Sequence, residues 1–248
     1  MIDPYLNPDA NVLKNKLGIK DQKELDEAES VITATKLIDV DSVKGNFDYQ
    51  HLLDIHRHIF EDVYEWAGNA RVIDIAKSEK VLSGMSVTYG EHKFIPEEAS
   101  KVIDEMKAVK WTQLKSYEEK AETFSKHFAR LWQVHPFREG NTRTVTEFCV
   151  QYASTQGMHI DKELFAKNPG FLRNALVLSS IGEYSERSHL ERIVKDAMER
   201  GDELRGKKQE QEKGIFSLNG LKKIDSDIKS KDKEASRDIK SSRSYDRD

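Results

Sequence analysis

A histidine, a glutamate, two arginines, an asparagine and a glycine fall within the ten-residue run HPFREGNTRT, from His135 to Thr144. Those residue types suit chemistry at a phosphorus centre. His135, at the edge of the run, is the one side chain there that can be a neutral base near pH 7. Arg138 and Arg143 can make charge-assisted bonds to phosphate oxygens. Glu139 opposes an anion unless a cation stands between them. A hard divalent ion such as Mg²⁺ uses that arrangement, bridging a carboxylate oxygen and the phosphates. The run therefore describes a phosphorus attacked by a hydroxyl whose proton passes to His135.

Two amphipathic patterns must position it. Before the run, Phe124, Phe128, Leu131 and Trp132 recur at helical spacing; after it, Val145, Phe148, Cys149 and Tyr152 do the same. Pro136 lacks an N–H and clashes with the preceding turn, so the first helix ends near His135. Gly140 frees the backbone to turn, and Asn141 is expected to cap the second helix. The first N–H groups of that helix have no partner within it and make a ready anion site. A bland anion site at a helix start would not require His135 or Glu139.

The spacing resembles the signature of the Fic (filamentation induced by cAMP) family, H-x-F-x-[DE]-G-N-G-R-x-x-R. His135, Phe137, Glu139, Gly140, Asn141 and Arg143 fall on signature positions. The resemblance implies a protein adenylyltransferase that moves AMP from ATP to a hydroxyl side chain of a target protein and releases pyrophosphate. It implies that His135 deprotonates the hydroxyl, Glu139 holds Mg²⁺, Gly140 and Asn141 line the phosphate site, Arg143 binds phosphate and Phe137 anchors the loop. Two positions depart from the pattern: Thr142 replaces the second glycine and Thr146 the last arginine. A Cβ at 142 tightens the cradle, or the hydroxyl binds phosphate itself. Thr146 alters the nucleotide pose and removes the usual partner of an inhibitory glutamate. Transfer of phosphate or UMP instead, and a catalytically decayed interaction module, are the competing readings.

The implied fold is all-α, a helical bundle around the motif helix with a small β-hairpin flap. Helices are expected from Asp21 to about Val40, from Asp48 to Gly68, from Pro96, from near Tyr117 to the motif, from Asn141 to about Gly157, and beyond Pro169. Alternation at Val72, Ile73 and Ile75, then at Met85, Val87 and Tyr89, predicts strands flanking the turn-rich stretch through Gly84 and Gly90. In the family such a flap aligns the target segment by backbone pairing and covers the nucleotide; the same Y-E-W-A-G lead often precedes it. Ile75 and Lys77 are the site candidates there. His51, His56 and His58 read as core or surface histidines, since their spacing matches no zinc pattern.

Residues 1–200 are expected to form the Fic domain and 201–248 a charged tail, helical or disordered, with an apolar stripe at Leu218, Leu221, Ile224 and Ile228. Ser179–Glu183 and Ser230–Glu234 match part of the family's inhibitory motif, but Tyr184 and Ala235 follow where Gly or Asn belongs. A separate small antitoxin protein, or no such brake, is the expectation; self-modification is another. The net charge of −4 argues against nonspecific nucleic-acid binding. The acidic N-terminus is not a secretory signal, and no apolar run is long enough to span a bilayer. One cysteine, Cys149, allows no internal disulfide and reads as a buried hydrophobe. A bacterial cytoplasmic protein, or an effector delivered to a host cell, fits.

Overall fold

The computed structural model describes residues 3–213 of the chain. Seven helices lie in the first unit before residue 188: α1 (Gln22–Ile38), α2 (Tyr49–Phe60), α3 (Ile95–Ala108), α4 (Tyr117–Val134), α5 (Asn141–Thr155), α6 (Lys162–Lys167) and α7 (Pro169–Leu178). An eighth, α8, takes up residues 188–201. Their starts follow local chemistry. Asp21 accepts from Glu24 N at 2.9 Å and Asp48 from His51 N at 2.9 Å, each satisfying an orphan donor of a first turn. Ser116 and Glu119 form a full capping box at α4, and Pro96 stands in the first turn of α3.

The core gathers on α5. Val145, Phe148, Cys149, Tyr152 and Ala153 are buried, and α5 packs against α2 and α4 while α4 packs against α3. The motif helix is thus central, as its apolar stripe predicts. Residues 202–213, the described part of a second unit that begins at Asp202, are helical and exposed. The stripe from Leu218 to Ile228 and the Ser230–Glu234 match lie outside the described residues.

The β-hairpin expected between Ala70 and Phe94 does not form. Among the described residues there is no β-strand, and the isolated bridge is Leu6 with Leu13. Segment 70–94 instead spends its backbone groups on a local turn and on the end of α4 and the motif loop. Arg71 N donates to Pro136 O at 2.8 Å, Lys77 N to Ser86 Oγ at 3.1 Å and Gly90 N to Gln133 O at 3.2 Å. The Arg71 side chain, wholly buried, donates to the carbonyls of His135 (2.8 Å), Ile73 (2.7 Å) and Gly90. Of the alternating apolar residues, Val87 and Tyr89 are buried, Tyr89 against Trp132 of α4, whereas Val72 and Met85 are exposed.

The three histidines of α2 go separate ways. His51 Nε2 meets Val43 O at 3.1 Å and His58 Nε2 meets Lys36 O at 3.1 Å. His56 is buried against the motif loop. Its Nδ1 accepts from Gly68 N at 2.8 Å, so Nε2 carries the proton and donates to Glu139 O at 3.1 Å, with the ring stacked 3.7 Å from Phe137. Burial above all pushes the imidazole pKa down to about 3. The unfolded chain takes up a proton here near pH 6.5, the folded one only near 3. Stability is therefore complete above that window and falls as pH drops through it, by up to about 1.4 kcal/mol per pH unit. Urea unfolding between pH 7.5 and 5.5 should show that loss, and His56→Asn should flatten the slope by about one proton's share.

Candidate active site

α4 ends at Val134, and His135 takes the C-cap in the left-handed region (φ 51°, ψ 58°). The loop then turns inward: Phe137 is fully buried, and its N–H and C=O bond the Asn141 side chain at 2.9 and 2.7 Å. That closes the loop and spends the Asn141 amide. The residue expected to cap the helix is instead its first helical residue. Gly140, at φ +82°, is the N-cap. A Cβ there would lie 2.2 Å from the Phe60 ring, so only glycine lets α5 start this close to α2.

A cavity of about 470 Å³ opens over this helix start. His135, Glu139, Gly140, Asn141, Thr142, Arg143 and Lys77 line it. Glu139 pairs with Lys77 at 2.9 Å and accepts from Gly140 N at 3.0 Å. Burial pushes its carboxyl up, but the Lys77 charge and hydrogen bond more than reverse this and hold its pKa at about 2, so it is ionised at neutral pH. Arg138 and Ile75 are not brought to the cavity. They line a neighbouring groove with Asp3, Asp74 and His92, where Arg138 pairs with Asp3 at 2.9 Å; Lys77 borders both hollows.

His135 is deeper than its place in the sequence suggested. The ring is wholly buried, stacked 3.9 Å from Tyr89 and edge-on to Trp132. Tyr89 covers it, and the Arg71 bond to its carbonyl holds it there. Nδ1 lies 3.3 Å from Trp132 O, while Nε2 is buried without a partner among the described residues. Burial first, then the Lys77 charge, pushes its pKa well down, so the imidazole is neutral. A buried, unpaired ring nitrogen costs about 1–3 kcal/mol. Such an atom asks for a purpose.

Several residues escaped the sequence reading. Glu29, on the buried face of α1, pairs with Arg143, and Thr33 Oγ1 accepts from Arg143 Nη1 at 2.7 Å. The guanidinium, which lies 4.7 Å from the Phe60 ring, is thus already held before any phosphate meets it. Arg173, from α7, reaches the same cavity and pairs at 2.6 Å with buried Glu79, which also accepts from Tyr89 OH at 3.2 Å. Glu29, four residues after Leu25 on an apolar stripe, was the legible signal. Arg173 and Glu79 had none. Thr146 is buried with its hydroxyl unpartnered among the described residues, and Glu183 is exposed and away from the cavity lining.

The pattern of the Fic/DOC family matches residues 46–153. The chain is 33% identical over 182 residues to the probable protein adenylyltransferase y4lH of Sinorhizobium fredii, covering 73% of this chain and 90% of that protein. The chain belongs to the Fic/DOC family. A second relative, protein adenylyltransferase VbhT of Bartonella schoenbuchensis, is 34% identical over 161 residues, 64% of this chain; the match spans only 32% of VbhT. The Fic fold is also that of a solved N-terminal Fic domain, a putative cell filamentation protein from Bartonella quintana with bound ADP. The two share 26% identity at a TM-score of 0.65, over 78% of this chain and 93% of that one. In this Fic chain the signature loop is the one that lines the cavity. No helix among the described residues is long and apolar enough to cross a membrane.

Proposed function

We propose that this Fic protein is an adenylyltransferase that moves AMP from ATP to a hydroxyl side chain of a target protein. The observation that carries the reading is that the neutral, unpaired His135 and the ionised Glu139 line one cavity at a helix N-terminus; because the ring is fully buried, a target oxygen reaches Nε2 only through that cavity. The names of the two relatives and the ADP in the Bartonella quintana domain support it.

In this reading the target oxygen attacks the α-phosphorus and gives its proton to His135 Nε2. The bond from that phosphorus to the β-phosphate oxygen breaks, and pyrophosphate leaves. The Trp132 carbonyl beside Nδ1 keeps the proton there and steadies the imidazolium that forms. The open N–H groups at the start of α5, with Thr142 and Arg143, hold phosphate oxygens. Asn141 contributes through its backbone, because its amide is occupied. The Arg138 and Ile75 groove suits the target segment rather than the nucleotide.

Glu139 fits a role in holding Mg²⁺. Its carboxylate is ionised and lines the cavity, where Mg²⁺ would share it with the Lys77 ammonium that now pairs with it at 2.9 Å. Mg²⁺ bound there supplies charge neutralisation on the phosphates. Residues 1–200 form the catalytic domain in this proposal and 201–248 an appended segment. A separate antitoxin, self-modification, and bacterial or host-delivered action belong to the same reading.

The test is incubation with a bacterial lysate and ATP labelled at either end. Label from the α-position should stay on protein and label from the γ-position should not. Protein-bound γ-label would make the enzyme a phosphotransferase, label from UTP alone would make it a uridylyltransferase, and no label from any would overturn catalysis.

A further inference from the structure

We propose that Trp132 is a positioning residue for both halves of the site: it fixes the tautomer of His135 and aims the Thr142 hydroxyl at phosphate. The inference rests on the nucleotide reading above. Trp132 Nε1 lies 3.0 Å from Thr142 Oγ1. An indole N–H can only donate, so the threonine oxygen is the acceptor. The hydroxyl proton has no acceptor of its own among the described residues, and Thr142 is half-buried at the cavity wall. With one side of the oxygen occupied by the indole, the hydroxyl proton is free to turn to the hollow that Thr142 lines, where the N–H groups of the α5 first turn are also open.

The other end of the same residue acts on the histidine. The Trp132 carbonyl faces His135 Nδ1 at 3.3 Å, and the indole stands edge-on to the imidazole at 5.3 Å and 88°. The proton therefore resides on Nδ1, leaving the Nε2 lone pair unprotonated. Trp132 is fully buried and braced by Tyr89, with ring centroids 5.8 Å apart, so the indole is fixed in its orientation. Glycine at 142 would leave a buried indole N–H with no acceptor. The threonine satisfies that donor and turns its own hydroxyl into another.

Calorimetric titration of the full chain with ATP and Mg²⁺, and separately with adenosine, tests this. Thr142→Val, nearly isosteric, should weaken ATP binding by roughly 10- to 100-fold and leave adenosine unchanged, the effect of one hydrogen bond to a charged group. Thr142→Ser should stay near wild type. Replacing Trp132 with 3-benzothienylalanine keeps the ring shape and deletes the N–H. It should weaken ATP binding too, with no added loss in the Thr142→Val background. Nitrogen NMR shifts should show His135 protonated at Nδ1. ATP affinity unchanged in Thr142→Val, or additive losses in the double variant, would each overturn the proposal while leaving the enzyme reading intact; a proton on Nε2 would overturn the proposal and also remove His135 as the base of that reading. If the Trp132 replacement does not fold, the threonine pair and the NMR shifts decide. Wild type binding no ATP would sink the nucleotide reading, and this inference with it.

Discussion

His135→Ala should lower AMP transfer by about 10²- to 10⁴-fold while ATP still binds. That range is the ordinary contribution of a positioned general base. The phosphate cradle does not depend on the imidazole: the loop is closed by Asn141 on Phe137, and Arg143 is held by Glu29 and Thr33. The loss should therefore fall on turnover and spare nucleotide affinity. Initial rates with α-labelled ATP, set beside calorimetry, separate the two. Transfer at the wild-type rate would remove His135 from the chemistry. The depressed pKa adds a sign. The base stays neutral as pH falls to about 6.5, its ordinary value, so protonation of His135 should slow the enzyme only in more acidic solution.

Arg71→Met should destabilise the protein by about 3–5 kcal/mol, as loss of a buried, fully engaged charge does. The guanidinium is wholly enclosed and donates to the carbonyls of His135, Ile73 and Gly90, with Val134 O at 3.4 Å; Asp74 stands 3.5 Å away. Removing it strands several carbonyls without donors, each costing about 1–3 kcal/mol. Arg71→Lys should recover little, because a compact ammonium cannot reach carbonyls spread over a planar fork. Urea unfolding at neutral pH measures both variants. A loss below about 1 kcal/mol for Arg71→Met would show that other bonds secure the loop to segment 70–94.

Most helix starts could be read from the chain because each signal is local, whereas the second helix, expected to reach Gly68, stops at Phe60. Asp21, Asp48 and Ser116 do announce helix starts, and the stripe around Phe148 does mark the buried side of α5. Segment 70–94 could not, since alternation in Val72, Ile73 and Ile75 is the same whether a strand pairs with its neighbour or an extended loop lies on helices. What decided it was Arg71, whose partners include the carbonyls of His135 and Pro136, far along the chain. At the site, the loop from His135 to Arg143 was legible as a unit of chemistry. Its depth was not, because Tyr89 and Glu79 come from segment 70–94 and Arg173 from α7. Asn141 was misjudged by one position, since its amide bonds backwards to Phe137 and not forwards as a cap.

The backbone at His135 carries a conflict of interest for the lineage. The imidazole sits where a helix turns left-handed (φ 51°), a setting glycine fills freely and a side chain occupies at roughly 1 kcal/mol or more. A change to glycine (His135→Gly) would relieve that strain and remove the orphaned ring nitrogen, but it would also empty the space beneath Tyr89 and beside Trp132 and, in the proposed function, remove the base. Relief of backbone strain and loss of packing therefore pull in opposite directions at this one position, so a descendant without the histidine has to refill the space between Tyr89 and Trp132 to keep its stability.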